Sequence, residues 1–155
     1  MGNLALAQAL VDTLPHGVPG LFNPWKDVCA DDLENNGPAA KLARLAAFLD
    51  CEPRFIVAGE APGHLGARHS GLAFTSERLP SRKLPFSEPS ATIVWRVLNE
   101  LGIAHQTILW NALQMHPHAP GNPRTNRTPT QGELLQGAPA MRLLVEAFPN
   151  AKLVA

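Results

Sequence analysis

This chain of 155 residues has few cysteines, a formal net charge of zero and no long apolar run. Its two cysteines, Cys29 and Cys51, cannot form a disulfide scaffold, and without a Cys-x-x-Cys pair they predict no zinc site. No apolar run approaches the roughly 18 to 20 residues that a membrane span needs. The composition, 45% hydrophobic and 17% charged, excludes a disordered tail and a coiled coil. We therefore expect one globular domain, residues 1–155, in a reducing, cytoplasmic setting.

The formal net charge of zero conceals an uneven distribution of charge along the chain. Residues 1–53 carry seven acidic and three basic side chains, whereas residues 54–127 carry eight basic and four acidic ones. A basic middle segment favours a polyanionic partner, although charges that only face solvent would give the same pattern.

Apolar side chains recur at intervals of three and four residues in four segments, a pattern that predicts helices. The predicted helices span residues 4–14, 38–51, 90–101 and 130–148. The first has no basic segment ahead of it, so we expect a helix of the domain and not a secretory signal. Ser90 can cap the third. The connection over residues 15–38 is rich in proline and glycine, with at most a short turn of helix around Trp25.

The fourth predicted helix carries both a start signal and two breakers. Thr128 or Thr130 can cap it, and the spacing of Thr130 and Glu133 is that of a capping box. Gly137 and Pro139 are predicted to break or kink the same helix.

Three short runs rich in β-branched and aromatic residues predict strands. They cover residues 54–58, 105–113 and 152–155. Strands that alternate with helices favour an α/β fold, here a three-layer α/β/α domain with a parallel sheet covered on both faces. Only two complete strands and the start of a third are present, so we expect a short sheet that is incomplete at the C-terminus.

The first complete strand leads into a loop, Gly59–Glu77, whose composition suits ligand binding at the carboxyl edge of a parallel sheet. The loop begins with Gly59, Glu60, Ala61, Pro62 and Gly63. Its glycines allow backbone N–H groups to approach a ligand, Glu60 offers a carboxylate, and Phe74 offers a flat apolar face. The spacing matches neither a dinucleotide fingerprint nor a phosphate loop. An ordinary tight turn would explain the same residues.

The second complete strand leads into another loop, Asn111–Glu133, which is polar and rich in proline. Asn111 at the strand end could point its amide into a pocket, and Arg124 and Arg127 stand among Pro, Asn and Thr. A turn or capping role for the Asn and solvation of the two arginines are the alternatives.

Together the two loops resemble the uracil-DNA glycosylase superfamily, most closely its iron–sulfur-type group. That group carries GEAPG after its first strand, followed by an aromatic in a Gly-x-x-Phe setting, matched here by Gly71 to Phe74. In its second motif a strand-end Asn precedes an Asn-Arg-x-Pro run, and Asn111 and residues 126–129 match those positions. The resemblance covers Phe55–Glu133, about half of the chain.

The resemblance implies a base-excision repair enzyme that flips uracil, or a related deaminated base, out of DNA and hydrolyses its N-glycosidic bond. Phe74 would stack on the extruded base, Asn111 would read its Watson–Crick edge, and Glu60 would be the carboxylate beside the reacting sugar. Arg124 and Arg127 would contact DNA. The base pocket would also be lined by Gly59, Ala61, Pro62 and Gly63. We expect a monomer with DNA as its partner and no contact with membranes.

The sequence departs from the family pattern in three ways. Ala61 stands where the best-known members have an Asp that positions water, so that role falls to Glu60 or is unassigned. The cluster cysteines are missing, and residues 114–117 hold none, so neither a cluster nor another cofactor is expected. The family's last strand and His-containing loop have no counterpart before Ala155, so domain 1–155 is expected to lack them.

Two other interpretations stay open. A nucleic-acid or nucleobase binding module of the same fold would keep the pocket without the chemistry. A metal-dependent hydrolase would use histidines, but none of them has helical i, i+4 spacing or a Cys partner, so no metal site is expected. The histidines in question are His64, His69, His116 and His118. Ser76, followed by Glu77 and Arg78, could contact phosphate or cap a helix.

Overall fold

The computed structural model describes residues 2–32, 34–75 and 87–155. Within them the helices are α1 (Asn3–Asp12), α2 (Pro38–Phe48), α3 (Ala67–Ser70), α4 (Pro89–Glu100) and α5 (Gln131–Ala147). The strands are β1 (Leu21–Phe22), β2 (Phe55–Gly59), β3 (Thr107–Asn111), β4 (His116–Pro117) and β5 (Lys152–Val154). The end of the first loop, with Ser76 and its possible phosphate contact, lies outside the described residues.

A parallel sheet in the order β3–β2–β5 forms the centre of the fold. Its register pairs Phe55 with Thr107 and, at the opposite end, Gly59 with Asn111. All five residues of β3 are buried. The α/β class and the short parallel sheet expected from the sequence are therefore confirmed.

The main core joins this sheet to three helices. Leu10 of α1, Leu45 of α2 and Leu144 of α5 are almost fully buried and belong to one cluster with Ile56 and Ile108 of the sheet. Burying each of these side chains contributes roughly 1.5 to 3 kcal/mol. The apolar periodicity of the sequence thus matches the side of each helix that meets the core.

The connection over residues 15–38 contains a strand that the sequence did not reveal. β1 pairs antiparallel with β4, Leu21 opposite Pro117 and Phe22 opposite His116. The expected helical turn around Trp25 is a plain turn, and the Trp25 ring stacks on Trp110 at 6.2 Å between ring centroids. The connection therefore contacts the second loop through the pairing of β1 with β4.

The helix ends confirm one sequence prediction and correct two others. Thr130 caps α5 in a full capping box, since its N–H donates to the Glu133 carboxylate at 2.8 Å and its hydroxyl accepts from the Glu133 N–H at 3.3 Å. Glu88 occupies the N-cap position of α4 without a side-chain capping hydrogen bond, and Ser90 lies inside the first turn after Pro89, so the capping role predicted for Ser90 is wrong. α5 is not broken at Gly137 or Pro139 either.

Tertiary packing explains why α5 continues through its two predicted breakers. Gly137 lies so close to the chain after β3 that a methyl group there would be 1.9 Å from the carbonyl oxygen of Ala112. Ala140 and Leu144, just beyond Pro139, are completely buried. This contact and this burial offset the backbone hydrogen bond that proline cannot make. In the described part of the chain, no helix has the length and hydropathy to cross a bilayer.

Candidate functional site

The two loops singled out in the sequence meet at the carboxyl edge of the sheet. Gly59 and Asn111, the last residues of β2 and β3, face each other in register. The pairing continues beyond the strands, because the N–H of Ala112 donates to the Gly59 carbonyl at 2.8 Å and the N–H of Leu113 donates to the Glu60 carbonyl at 2.9 Å. These two hydrogen bonds therefore hold the first residues of the two loops next to each other.

A cleft of about 350 Å³ opens between the loops. Its walls are Gly59, Glu60, Ala61, Gly63, Phe74, Glu88, Pro89, Ser90, Asn111 and Asn126. Most of the site residues predicted from the sequence are in this list. Pro62 is buried on the inner side of its loop, where it lines a small enclosed cavity with Trp110 and Asn111. The cleft volume falls within the usual range for small-ligand sites.

Phe74 and Asn111 approach each other over Gly59. A methyl group on Gly59 would lie 2.7 Å from Cζ of Phe74 and 2.8 Å from Oδ1 of Asn111, so only glycine leaves room for both side chains. Phe74 itself adopts the left-handed backbone region, with φ at +53°. Its carbonyl accepts a hydrogen bond of 2.8 Å from the indole N–H of Trp95 on α4. A flat apolar face and an amide are thus fixed side by side.

Asn111 is held through its backbone while its side chain stays available. The residue is 7% exposed, and its carbonyl accepts from the side-chain amide of Gln114. Neither end of the Asn111 carboxamide makes a hydrogen bond within residues 2–32, 34–75 and 87–155. Neither carboxamide atom is among the fully buried polar atoms without a partner in the described residues, so both reach the solvent-filled cleft. The side chain is therefore suited to bind a polar edge in the cleft.

Glu60 and Ala61 take opposite positions in the GEAPG turn. The Glu60 side chain is exposed at the rim of the cleft, while its backbone is fixed by Leu113. Ala61 packs against a small cluster formed by Leu21, Leu113 and Met115. The turn thus offers its carboxylate to the solvent side and its small side chain to the core.

Glu88 is a member of the cleft that the sequence patterns did not reveal. Its carboxylate accepts hydrogen bonds from the backbone N–H groups of Gly63 at 2.8 Å, Ala67 at 3.1 Å and Thr75 at 3.2 Å. Burial raises the pKa of this carboxyl group, and the three N–H donors partly oppose that shift. An acidic residue directly before Pro89, at a helix start, was the available signal.

Asn126, of the Asn-Arg-x-Pro run, connects the two loops. Its Oδ1 accepts from the N–H of His64 at 2.9 Å and lies 3.3 Å from Nε2 of His116. The same Nε2 is 2.9 Å from the Thr125 carbonyl, an acceptor, so this nitrogen carries the proton. Burial lowers the pKa of His116 to about 4, which keeps the ring neutral near pH 7. Among the described residues no group of three or more His, Cys, Asp or Glu could hold a metal ion.

The two arginines of the second loop both have partners inside the chain. Arg124 is exposed and forms a two-pronged pair with Asp31, at 2.7 and 3.0 Å. Arg127 pairs in the same way with Glu133, at 2.7 and 2.8 Å, and also donates to the carbonyls of His118 and Gly20. Their contact with DNA stays a prediction.

Comparisons with known proteins bear on the family and the fold of the chain. The model of the Uracil DNA glycosylase superfamily matches residues 46–155, a range that contains both loops and the whole parallel sheet. No curated protein sequence matches the chain. Among solved structures, the chain is similar to wild-type SMUG2 from Pedobacter heparinus, with a TM-score of 0.56 and 16% sequence identity. That similarity covers 97% of this chain and 72% of the SMUG2 chain, and at this identity it concerns the fold alone.

Proposed function

Because the chain belongs to the uracil DNA glycosylase superfamily, we propose that it hydrolyses the N-glycosidic bond of uracil, or of a related deaminated base, in DNA. One observation carries the proposal. The ring of Phe74 and the free carboxamide of Asn111 meet over Gly59 at the carboxyl edge of the sheet, inside a cleft large enough for a pyrimidine.

Phe74 provides the stacking face for the extruded base. Stacking of a base on an aromatic side chain is worth roughly 1 to 3 kcal/mol. Extrusion from the duplex costs a few kcal/mol, so stacking offsets much of that cost. The hydrogen bond from the Trp95 indole to the Phe74 carbonyl holds the strained Phe74 backbone in place before the base arrives.

Asn111 selects the base. Its amide donates to uracil O4 and accepts from uracil N3–H. Cytosine presents an amino donor and an unprotonated N3 at the same positions, so both contacts would fail and leave buried groups unsatisfied. A site built for such hydrogen bonds rejects the wrong partner strongly. The Asn111 amide therefore excludes cytosine without the help of another residue.

The chemical step breaks the bond between C1′ of the sugar and N1 of uracil while water adds to C1′. Negative charge develops on the departing base and positive charge on the sugar. We assign stabilisation of the first charge to backbone N–H groups of the GEAPG turn other than that of Gly63, which Glu88 occupies. The carboxylate of Glu60 at the cleft rim stabilises the second charge or takes a proton from the water. Arg124 and Arg127 provide the DNA contacts, and the enzyme acts as a monomer.

Excision assays with variants at Asn111 test this function. The substrates are single- and double-stranded oligonucleotides that carry uracil, hypoxanthine, thymine or cytosine at one position. We expect the parent to release uracil, Asn111→Ala to lose at least a hundredfold in kcat/KM, and Asn111→Asp to lose uracil release as well and to gain weak cytosine release. Glu60→Gln should lower kcat with little change in KM.

Asn99→Asp on the exposed side of α4 is the matched control and should behave like the parent. Undiminished uracil release by both Asn111 variants would overturn the pocket assignment. Uracil binding without release, in the parent as well as in Glu60→Gln, would instead identify a nucleobase-binding module.

A further inference from the structure

Glu88 links two parts of the first loop that the sequence separates. Its Oε1 accepts from the N–H groups of Gly63, the last residue of the GEAPG turn, and of Ala67, the first residue of α3. Its Oε2 accepts from the N–H of Thr75, the residue after Phe74. One carboxylate therefore joins the turn that supplies N–H groups to the residue next to the stacking ring.

The glycines of the turn are shaped around this carboxylate. A methyl group on Gly66 would lie 2.2 Å from Cγ of Glu88, and one on Gly63 would lie 2.8 Å from its Oε1. Contacts this short do not occur between real side chains, so any larger residue at either position would displace Glu88. The Gly63-x-x-Gly66 spacing is thus explained by the need to seat Glu88.

The Phe74–Thr75 segment needs such external support. Phe74, a non-glycine residue in the left-handed region, is strained and persists only where surrounding contacts hold it. Helix α4 provides three hydrogen bonds that hold this segment: from the Trp95 indole to the Phe74 carbonyl, from the Glu88 N–H to the Thr75 carbonyl at 3.0 Å, and from the Thr75 N–H to the Glu88 carboxylate.

We propose that Glu88 is a positioning residue for base excision, which holds the Phe74 ring and the N–H groups of the GEAPG turn at a fixed separation across the cleft. The identity of the substrate rests on the function proposed above. Glu88 acts through these neighbours, whereas Glu60 and Asn111 face the substrate.

Substitution of Glu88 by Gln distinguishes the contacts of Oε1, with Gly63 and Ala67, from the contact of Oε2 with Thr75. The amide oxygen of Gln can still accept from Gly63 and Ala67, but its NH₂ group then faces the N–H of Thr75, donor against donor. The opposite flip would break two contacts in place of one. Glu88→Gln should therefore release Thr75 and Phe74 selectively, whereas Glu88→Ala should release both arms of the loop.

Amide hydrogen exchange in the native protein measures this release without any substrate. In Glu88→Gln we expect exchange at Thr75 to become at least tenfold faster, with Gly63 and Ala67 within about threefold of the parent. In Glu88→Ala all three amides should exchange faster. The amides of Ala112 and Leu113, which tie the same loop to β3, report global unfolding and should not change.

Steady-state excision of uracil gives the functional consequence. Glu88→Gln should raise KM about tenfold with kcat within threefold, because it loosens the stacking face, and Glu88→Ala should lower kcat as well. Glu100→Gln, at the exposed end of the same helix, is the matched control. If Glu88→Ala does not fold, Gly66→Ala replaces it in the experiment. The new methyl group displaces the Glu88 carboxylate, so exchange at Gly63, Ala67 and Thr75 should become faster in the same way.

The proposal is overturned if Thr75 exchange in Glu88→Gln stays at the parental rate. It is also overturned if exchange rises while both KM and kcat stay parental. A parent that releases no uracil contradicts the proposed function, and in that case the exchange pattern still decides whether Glu88 holds the two arms together.

Discussion

At the scale of single residues, the two arginines of the second loop differ in their surroundings. Arg127 is about 70% covered and binds a carboxylate and two backbone carbonyls. Arg124 is 70% exposed, and its side chain pairs with Asp31 at the surface. Hydrogen bonds to charged groups in covered positions stabilise a fold, whereas exposed ion pairs contribute little. A DNA phosphate could replace Asp31 far more easily than Glu133.

We therefore expect different results from the two alanine variants. Arg127→Ala should lower the free energy of unfolding by roughly 1 to 3 kcal/mol, since it removes the ion pair with Glu133 and leaves the His118 carbonyl without its donor. Arg124→Ala should leave the free energy of unfolding near its parental value but weaken binding to a uracil-containing duplex and reduce the salt slope by about one. Urea unfolding and fluorescence anisotropy at several salt concentrations measure both effects. Equal destabilisation by the two variants would contradict the distinction.

Residues were identified from the sequence where a motif contained them. Gly59, Phe74 and Asn111 lie in motifs, and the structure brings them to one point. Glu88 was not identified from the sequence because it stands 25 positions after Gly63. No local pattern indicates which distant N–H groups will donate to a carboxylate. Long-range hydrogen bonds of this kind depend on how α4 packs, which periodicity does not report.

At the scale of secondary structure, the long helices and the strands of the parallel sheet were predicted, whereas β1, β4 and the one-turn helix α3 were not. The four long helices and the three strands of the parallel sheet have clear apolar patterns. β1 and β4 have two residues each, too few for any period, and they exist because Leu21 and Phe22 pair with the second loop. α5 was predicted to break because propensity was weighed without packing, yet Gly137 fits tightly against Ala112.

Two glycines in α5 allow a matched test of that packing. A methyl group on Gly132 would have no neighbour within 4 Å, so Gly132→Ala should stabilise the protein by up to about 1 kcal/mol. A methyl group on Gly137 would be 1.9 Å from the Ala112 carbonyl, so Gly137→Ala should destabilise it by roughly 1 to 3 kcal/mol despite the better propensity. Because Ala112 follows Asn111, uracil excision should fall as well. Thermal unfolding of both variants checks this, and equal melting temperatures would show that α5 can shift without cost.

At the scale of the whole molecule, stability depends on groups whose protonation is altered by folding. The pKa of His116 is lowered by burial to about 4 from 6.5, and burial also lowers the pKa values of His64 and His69. The pKa of Glu133 is lowered to about 2 from 4.5, first of all by its hydrogen bond with Arg127. Glu88 acts in the opposite direction, because its raised pKa makes ionisation unfavourable in the folded state.

These shifts predict a loss of stability in two steps as the pH falls. Below about pH 6.5 the unfolded chain binds protons that the buried His116 refuses, so the stability present at neutral pH declines toward pH 4, by at most about 1.4 kcal/mol per pH unit for one group. Between pH 4.5 and 2 the contribution of ionised Glu133 is lost in turn.

His116→Gln keeps an N–H donor for the Thr125 carbonyl but cannot titrate, so its unfolding free energy should fall less than that of the parent between pH 6.5 and 4, and by the same amount below pH 4. His105→Gln, at an exposed histidine, is the control for replacing an imidazole outside the core. Urea unfolding at half-unit pH intervals measures the three curves, and a parental slope in His116→Gln would show that His116 does not control the first step.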